Sequence, residues 1–216
     1  GMMHGHGMLT YADGESYRGE WKMDRKQGNG EYKWGWSAGE VAGDKYHGQF
    51  YAGFTHGLGT TMFADGGYHK GRYAKGKMNG YGILRVADGW EYIGTWQDDE
   101  LHGEVVCFYA YCSGVGKEVQ TYNMGEYVST RPYDSSKDWG ELESIGLAEA
   151  RNADKISLDV ANTLKQVARY ARRAQESQLM AKDAAEEARY MTRAVLTYKE
   201  YLKSWYGLKP FFSPED

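Results

Sequence analysis

Residues 46–68, YHGQFYAGFTHGLGTTMFADGGY, contain the pattern that decides the fold of this chain. Aromatic and polar residues alternate in YHGQF with a period of two, which is typical of a half-buried β-strand. A second short stretch ends at Asp65-Gly66, and an Asp-Gly pair accepts the positive φ of a tight turn. The stretch therefore predicts a β-hairpin that ends in a turn.

The same pattern recurs along the first part of the chain. The anchor glycine Gly48 is followed two residues later by Phe50, and nine and eleven residues later by Gly57 and Gly59. Successive anchors lie 23 residues apart, with one longer interval of 29 residues. The corresponding positions in the other copies are Gly19, Trp21, Gly28 and Gly30, then Gly71, Tyr73, Gly80 and Gly82, then Gly94, Trp96 and Gly103.

We interpret residues 1–130 as an array of one partial repeat and four to five full repeats, with insertions near residues 35–44 and 110–118. Each repeat would form one hairpin, and successive hairpins would pair into a single extended antiparallel meander. Glycine within a strand usually marks the close approach of another group. Here we expect that group to be the aromatic ring two residues after a neighbouring anchor, such as Phe50.

Glycine pairs such as the one in residues 57–59 also occur in loops that bind phosphate. A phosphate loop requires a helix N-terminus behind it. This pair recurs at residues 28–30 and 80–82, and no helical pattern follows any of the three copies. We therefore interpret these glycines as structural. His56 and His102 precede repeat glycines in the same way, and no cysteine or carboxylate cluster completes a metal site around them.

Composition and charge exclude several classes of protein. The formal net charge of −4 argues against nucleic-acid binding, which usually requires a concentrated basic surface. Cys107 and Cys112 are too few for a disulfide framework, and we expect both to be thiols in a reducing compartment. No apolar run approaches the roughly 20 residues of a transmembrane helix. We therefore expect a cytoplasmic protein, peripheral at a membrane or cytoskeletal structure, with no nucleic-acid partner.

Residues 147–207 predict one long helix. No glycine or proline interrupts this stretch before Gly207, and apolar residues, many of them alanine, recur at steps of three and four. Gly207 followed by Pro210 is a stop signal, so residues 131–146 form a linker and residues 208–216 a tail. Because the sheet has one aromatic face and the helix one apolar stripe, we expect the helix to cover that face. A dimeric coiled coil, which would make the chain a homodimer, is the alternative.

The combination of Tyr-x-Gly-x-Trp/Phe, His-Gly-x-Gly and Asp-Gly-x-x-Tyr across residues 3–127 is similar to the MORN repeat (membrane occupation and recognition nexus). A MORN array followed by a long alanine-rich helix and the segment YGLKPFFSPED resembles the junctophilins. In that family the helix runs along the MORN sheet, and the protein ties the plasma membrane to the endoplasmic reticulum beside ion channels. Junctophilins have more repeats and a C-terminal membrane anchor, so we expect this chain to be part of a longer protein.

Two groups of side chains are candidates for a binding surface. The first group is aromatic, lies on second strands of the hairpins, and would hold a peptide or helix of a protein partner. It comprises Tyr32, Trp34, Phe63 and Tyr109. The second group lies in the segment HKGRYAKGK and would attract anionic lipid at about 1 kcal/mol per charge, although a solvated edge is the alternative. It comprises Lys70, Arg72, Lys75 and Lys77.

The sequence therefore predicts a mainly β protein, with a long α-helix packed along a single antiparallel sheet. Its function is interpreted as that of a non-catalytic scaffold, which binds a protein partner and positions it at a membrane or cytoskeletal structure, as the resemblance to junctophilins implies. The alternative is a module that binds anionic phosphoinositides and tethers a larger protein to a membrane. No spacing of residues supports a catalytic, cofactor-binding or metal-binding site, so no enzymatic activity is expected.

Overall fold

The structure is a computed structural model that describes residues 1–109 and 116–206. Most of the predicted insertion near residues 110–118, and the predicted tail at residues 208–216, lie outside the described residues. Within the described residues the chain is mainly β, with one open antiparallel sheet of eleven strands in sequence order and one long helix, as predicted. The elements are β1 (Gly5–Thr10), β2 (Ser16–Lys22), β3 (Arg25–Lys33), β4 (Lys45–Tyr51), β5 (Phe54–Met62), β6 (Tyr68–Ala74), β7 (Lys77–Arg85), β8 (Trp90–Gln97), β9 (Glu100–Tyr109), β10 (Glu118–Asn123), β11 (Glu126–Pro132) and α1 (Ser144–Tyr206).

Each repeat contributes one hairpin, and the glycine nine residues after the anchor marks a bulge. In the hairpin β4–β5 the register shifts after Gly48, and Gly57 has a φ of +63°. The Gln49 side chain fills the space beside this bulge, where its Oε1 accepts a hydrogen bond from the Leu58 backbone N–H at 3.0 Å. A Cβ atom on Gly57 would collide with the Gln49 carboxamide. Both the backbone conformation and the contact therefore favour glycine at this position.

The anchor glycine and its cross-strand partner lie beneath an aromatic ring. Gly48 pairs with Gly59, and a Cβ atom on Gly48 would lie 2.6 Å from the Gly59 Cα. The ring over both glycines belongs to Tyr46, whose hydroxyl donates a hydrogen bond to the Gln49 carbonyl at 3.0 Å. The expectation that the visiting ring would be that of Phe50 is therefore wrong for Gly48 and Gly59. It holds at Gly7, where a Cβ atom would lie 3.3 Å from the Trp21 ring, two residues after the neighbouring anchor. The ring two residues before the anchor reaches the glycines because its hydroxyl can bond the backbone at the bulge.

The repeated aromatic residues form a continuous ladder on one side of the sheet. Each ring contacts the next edge to face, with centroids 4.9–5.2 Å apart and ring planes 71–89° apart. Contacts of this geometry add about 0.5–1.5 kcal/mol each beyond the area they bury. Neighbouring repeats are thus joined by ring contacts as well as by strand pairing. In order, the rings are those of Trp21, Tyr17, Phe50, Tyr46, Tyr73, His69 and Trp96.

The first part of α1 packs on the other side of the sheet. The chain divides into two compact units, residues 1–165 and residues 166–216, so the sheet and the start of the helix belong to one unit. An aliphatic row runs across four neighbouring strands and packs against Ala150 of the helix. Antiparallel pairing places the whole row on the side opposite the ladder. The row comprises Ile83, Ile93, Val106 and Val119.

Packing of the helix on the sheet confirms the prediction, but the face is the opposite of the expected one. The aromatic rings fill their own face by covering glycines and each other, so they leave no apolar trough for a helix. The aliphatic row needs cover instead, because its side chains are short and lack such a ladder. The helix crosses the sheet as far as β4, where the Ser157 hydroxyl donates to the His47 carbonyl at 3.2 Å.

A network of charged groups precedes the helix and holds the linker against the sheet. Arg131 donates two hydrogen bonds to the fully buried Asp138 carboxylate at 2.7 and 2.8 Å, and two to Glu104 at 3.1 Å. A π-helical turn, Trp139–Glu143, leads directly into α1. The helix therefore begins at Ser144, three residues earlier than the sequence pattern predicts.

The second unit is helical from residue 166 to Tyr206. Every side chain from Ala168 to Thr197 is exposed, including those of Met180 and Tyr190. The alanine stripe predicted in this part of the helix is thus uncovered in the described chain. The coiled-coil alternative concerns this part of the helix and stays a prediction.

Candidate protein-binding surface

The two sides of the sheet differ in chemistry. We call the side that carries Tyr17, Tyr46 and Tyr73 the ladder face, and the side that packs against α1 the helix face. On the ladder face the rings are buried, with 0% of Tyr46 and 1% of Tyr17 exposed. Burial is the main cause that raises the pKa of each of these three tyrosines, so their hydroxyl groups stay protonated at neutral pH.

Two of the four aromatic candidates form a pair on the ladder face. Tyr32 pairs across the sheet with Tyr17 and with Tyr46, so its side chain shares their face. Its ring meets that of Trp34 edge to face, with centroids 4.7 Å apart. The Lys26 ammonium lies 3.8 Å from the Tyr32 ring centroid, which is a cation–π contact. Tyr32 and Trp34 are half-buried and pack against the ladder.

The other two aromatic candidates lie further along the sheet. Phe63 directly follows β5 and is half-buried against the turn that contains Gly67. Tyr109 is the last residue of β9, and its backbone pairs with Trp90. Its side chain is outside the described part of the chain. The structure thus brings Tyr32 and Trp34 together and places Phe63 and Tyr109 on separate repeats.

The four cationic candidates do not form one surface. Lys70 and Arg72 lie on the helix face and form ion pairs with helix carboxylates. The Lys70 Nζ is 2.9 Å from Asp154 Oδ1, and an Arg72 guanidinium nitrogen is 3.0 Å from Glu149 Oε1. The other two candidates, Lys75 and Lys77, are exposed at the turn between β6 and β7. Two of the four charges are therefore already compensated within the chain.

Two buried titratable groups have structural roles. His69 replaces the ring that is tyrosine in the first two full repeats, and its Nδ1 lies 2.7 Å from the Tyr73 hydroxyl. Complete burial lowers the pKa of His69 to about 3, so the imidazole is neutral at physiological pH. Burial likewise raises the pKa of the Cys107 thiol to about 11. A neutral imidazole without a base partner and a protonated buried thiol are poorly suited to nucleophilic chemistry.

The insertion in the first full repeat places Trp36 on the surface, a feature that the alternating pattern of the strands does not predict. A short 3₁₀ segment, Trp36–Val41, borders an open cavity of about 470 Å³ beside the Asp13-Gly14 turn. Trp36 is 77% exposed. The sequence did carry a signal, because the insertion interrupts the repeat and begins within the segment Trp34-Gly35-Trp36.

Across residues 1–109 and 116–206, no three His, Cys, Asp or Glu side chains are grouped closely enough to hold a metal ion. No helix in this part of the chain combines the length and the apolar character needed to cross a bilayer.

The comparison with protein families matches the repeat pattern. The family model for the MORN repeat matches residues 1–16, 17–38, 46–68, 69–91 and 92–110. Each of the four later matches begins two residues before an anchor glycine, and in the first three of these the residue at that position is the ring that covers the glycines. The gap after residue 38 overlaps the insertion. MORN repeats are a non-catalytic repeat type and form membrane-binding or protein-binding modules. With these five repeats, the chain belongs to the MORN-repeat family.

Proposed function

We propose that this chain is a non-catalytic scaffold whose ladder face binds a protein partner and helps to position it at a membrane or cytoskeletal structure. One observation carries the proposal. The residues of α1 up to Lys165 pack on the helix face, so the half-buried Tyr32 and Trp34 on the ladder face are available to another molecule. Aromatic side chains with an exposed edge on a rigid support are enriched at the centres of protein interfaces.

The order of the elements supports a junctophilin-like arrangement, in which a sheet of repeats is followed by a helix that packs along it. The helix stiffens the array, since its ion pairs and its buried face span β4 to β8. A stiff sheet loses little conformational freedom when a partner binds, and this favours affinity. The partner would then lie on the side of the sheet that the helix leaves open.

Binding of anionic phosphoinositides is the alternative, and it has less support. Lys70 and Arg72 are held by Asp154 and Glu149, so a lipid headgroup would have to displace two ion pairs. We therefore expect no flotation with phosphoinositide vesicles at physiological salt. Salt-sensitive flotation that the double variant Lys75→Glu/Lys77→Glu abolishes would favour the lipid function over the protein-binding function.

A photo-crosslinking experiment tests the proposed surface directly. In one variant the photoreactive residue p-benzoylphenylalanine would replace Phe63, which directly follows β5. In a second variant it would replace Tyr51. Tyr51 is a matched control because its side chain is 61% exposed but lies on the other side of the sheet. It is the strand neighbour of Phe50, which is on the ladder face, so Tyr51 points to the helix face. Both variants would be irradiated in cells that contain the full-length protein.

The expected result is a dominant protein adduct from position 63 that is absent from position 51. The substitution Trp34→Ser in the same chain should weaken that adduct, because the indole forms part of the surface. The same set of adducts from both positions, or lipid adducts alone, would contradict the proposed function.

A further inference from the structure

The insertion in the first full repeat forms a pocket at one end of the ladder face, and its chemistry narrows the kind of partner. We call this cavity the insertion pocket; Asp13, Trp34 and Trp36 line it together with alanines and glycines. Its volume of about 470 Å³ is within the range of about 300–1,000 Å³ that is usual for ligand pockets. The inference below rests on the proposed function, because it concerns the same partner.

Hydrogen bonds hold the walls of the insertion pocket in place. The Trp36 backbone N–H donates to the Asp13 carbonyl at 3.0 Å, and the Ser37 hydroxyl donates to the Asp13 carboxylate. At the other end of the insertion, the Trp34 N–H donates to the Asp44 carbonyl at 3.0 Å. The pocket is therefore preformed, and a ligand would not have to order the insertion before it binds.

The pocket lies in an acidic part of the surface. Residues 11–15 and 34–44 contain no cationic side chain and four carboxylates, of which Asp13, Glu15 and Glu40 reach the surface and Asp44 is buried. Hydrogen bonds from Ser37 and from the Glu15 backbone lower the pKa of Asp13, so this carboxylate is ionised at neutral pH. Lys33 also borders the cavity, but it alternates with Tyr32 and Trp34 and so its side chain belongs to the helix face. A positively charged group is thus the favoured occupant.

The aromatic wall favours the same occupant. Trp36 is 77% exposed, and tryptophan has the side chain whose ring face attracts cations most strongly. The sheet already uses this chemistry nearby, because Lys26 lies over the Tyr32 ring. We infer that the insertion pocket binds an arginine or lysine side chain of the protein partner, stacked on Trp36 with its charge directed toward Asp13. Arginine is preferred, since its planar guanidinium can stack on an indole and bond a carboxylate at once.

Nuclear magnetic resonance of the tryptophan indole N–H groups tests this inference with the whole chain. The probe is the peptide acetyl-Gly-Arg-Gly-amide, and its matched control contains citrulline, which has the same shape without the charge. The Trp34 and Trp36 signals should shift in a saturable way with the arginine peptide. Trp139 is the internal reference, because it is 50% exposed and lies outside the pocket. The citrulline peptide should bind about two- to fivefold more weakly, from the size of a cation–π contact at an exposed site.

The variant Trp36→Ala should weaken binding of the arginine peptide by about two- to fivefold. Because Trp36 is highly exposed, this variant should keep the wild-type urea midpoint, which separates lost binding from lost folding. Three results would overturn the inference: no selective shift of the two pocket indoles, equal binding of the citrulline peptide, or unchanged binding in Trp36→Ala. If one of these results is found together with a protein adduct from position 63, the insertion pocket does not bind a cationic side chain but the proposed function still stands.

Discussion

The buried histidine of the ladder makes the stability of this protein depend on pH in a predictable direction. The pKa of His69 is about 3 in the folded chain and about 6.5 in an unfolded one. Between these values the unfolded state binds a proton at this site and the folded state does not. The free energy of unfolding therefore falls as the pH falls below about 6.5, and this contribution stops changing near pH 3.

The expected size follows from the same two values. At pH 5.0 the solution is about 1.5 pH units below the pKa of unfolded histidine, and each unit corresponds to about 1.4 kcal/mol. His69 should therefore lower the free energy of unfolding by about 2 kcal/mol between pH 7.5 and pH 5.0. Most aspartates and glutamates titrate below this window, so the effect of the histidine can be isolated by comparison with a variant.

Urea unfolding monitored by tryptophan fluorescence at pH 7.5, 6.0 and 5.0 provides the assay. The variant His69→Gln keeps an acceptor for the Tyr73 hydroxyl but cannot take up a proton, so it should lose about 2 kcal/mol less than the wild type over this range. His6→Gln, which removes an exposed imidazole on β1, is the matched control and should behave as the wild type. Equal losses in the wild type and His69→Gln would refute the argument that the imidazole stays neutral when folded.

Three further changes test the packing. Gly48→Ala would place a Cβ atom 2.6 Å from the backbone of the paired strand, so it should lower the free energy of unfolding in urea by about 3 kcal/mol. The control Gly140→Ala should have little effect, because a Cβ atom there would meet nothing within 4 Å. Arg131→Met would leave the buried Asp138 carboxylate unpaired at a cost of about 3 kcal/mol at pH 7. The hydrogen bonds from Arg131 lower the pKa of Asp138 to about 2, so the stabilisation by this pair is present above about pH 4. The difference in the free energy of unfolding between the wild type and Arg131→Met should therefore shrink as the pH falls toward 2. With the other cysteine replaced by serine, the Cys107 thiol should react with a thiol reagent at pH 8 only after denaturant is added, and rapid labelling of the folded chain would contradict its burial.

Much of the fold could be predicted because its signals are local. The alternation of Tyr46, Gly48 and Phe50 defines a strand, and the recurrence of that pattern defines the array. The steps of three and four in the last third of the chain define a helix in the same way. The candidate pair Tyr32 and Trp34 could also be predicted from the sequence, because the number of residues between each of them and the anchor Gly19 fixes their positions in the repeat.

What the sequence pattern could not reveal depends on contacts between distant residues. The ion pairs that occupy Lys70 and Arg72 join residues 84 and 77 positions apart, so neither partner is visible in the local pattern around these cations. The insertion pocket likewise depends on a turn and an insertion that the strand pairing brings together. A cluster of like charges in the sequence therefore was not a cluster of free charges in the folded chain.

The sequence by itself determined the period of the repeat, the hairpin in each copy, the glycine positions and the existence of the helix, because each depends on backbone geometry within a few residues. The tertiary structure alone decided which ring covers the glycines and which face of the sheet the helix covers. The physical reason is that both faces of a strand carry apolar side chains here. Only the cross-strand register shows that the ladder rings of Tyr46 and its counterparts are buried by their neighbours. The register also shows that the aliphatic row around Ile93 needs the helix to exclude water.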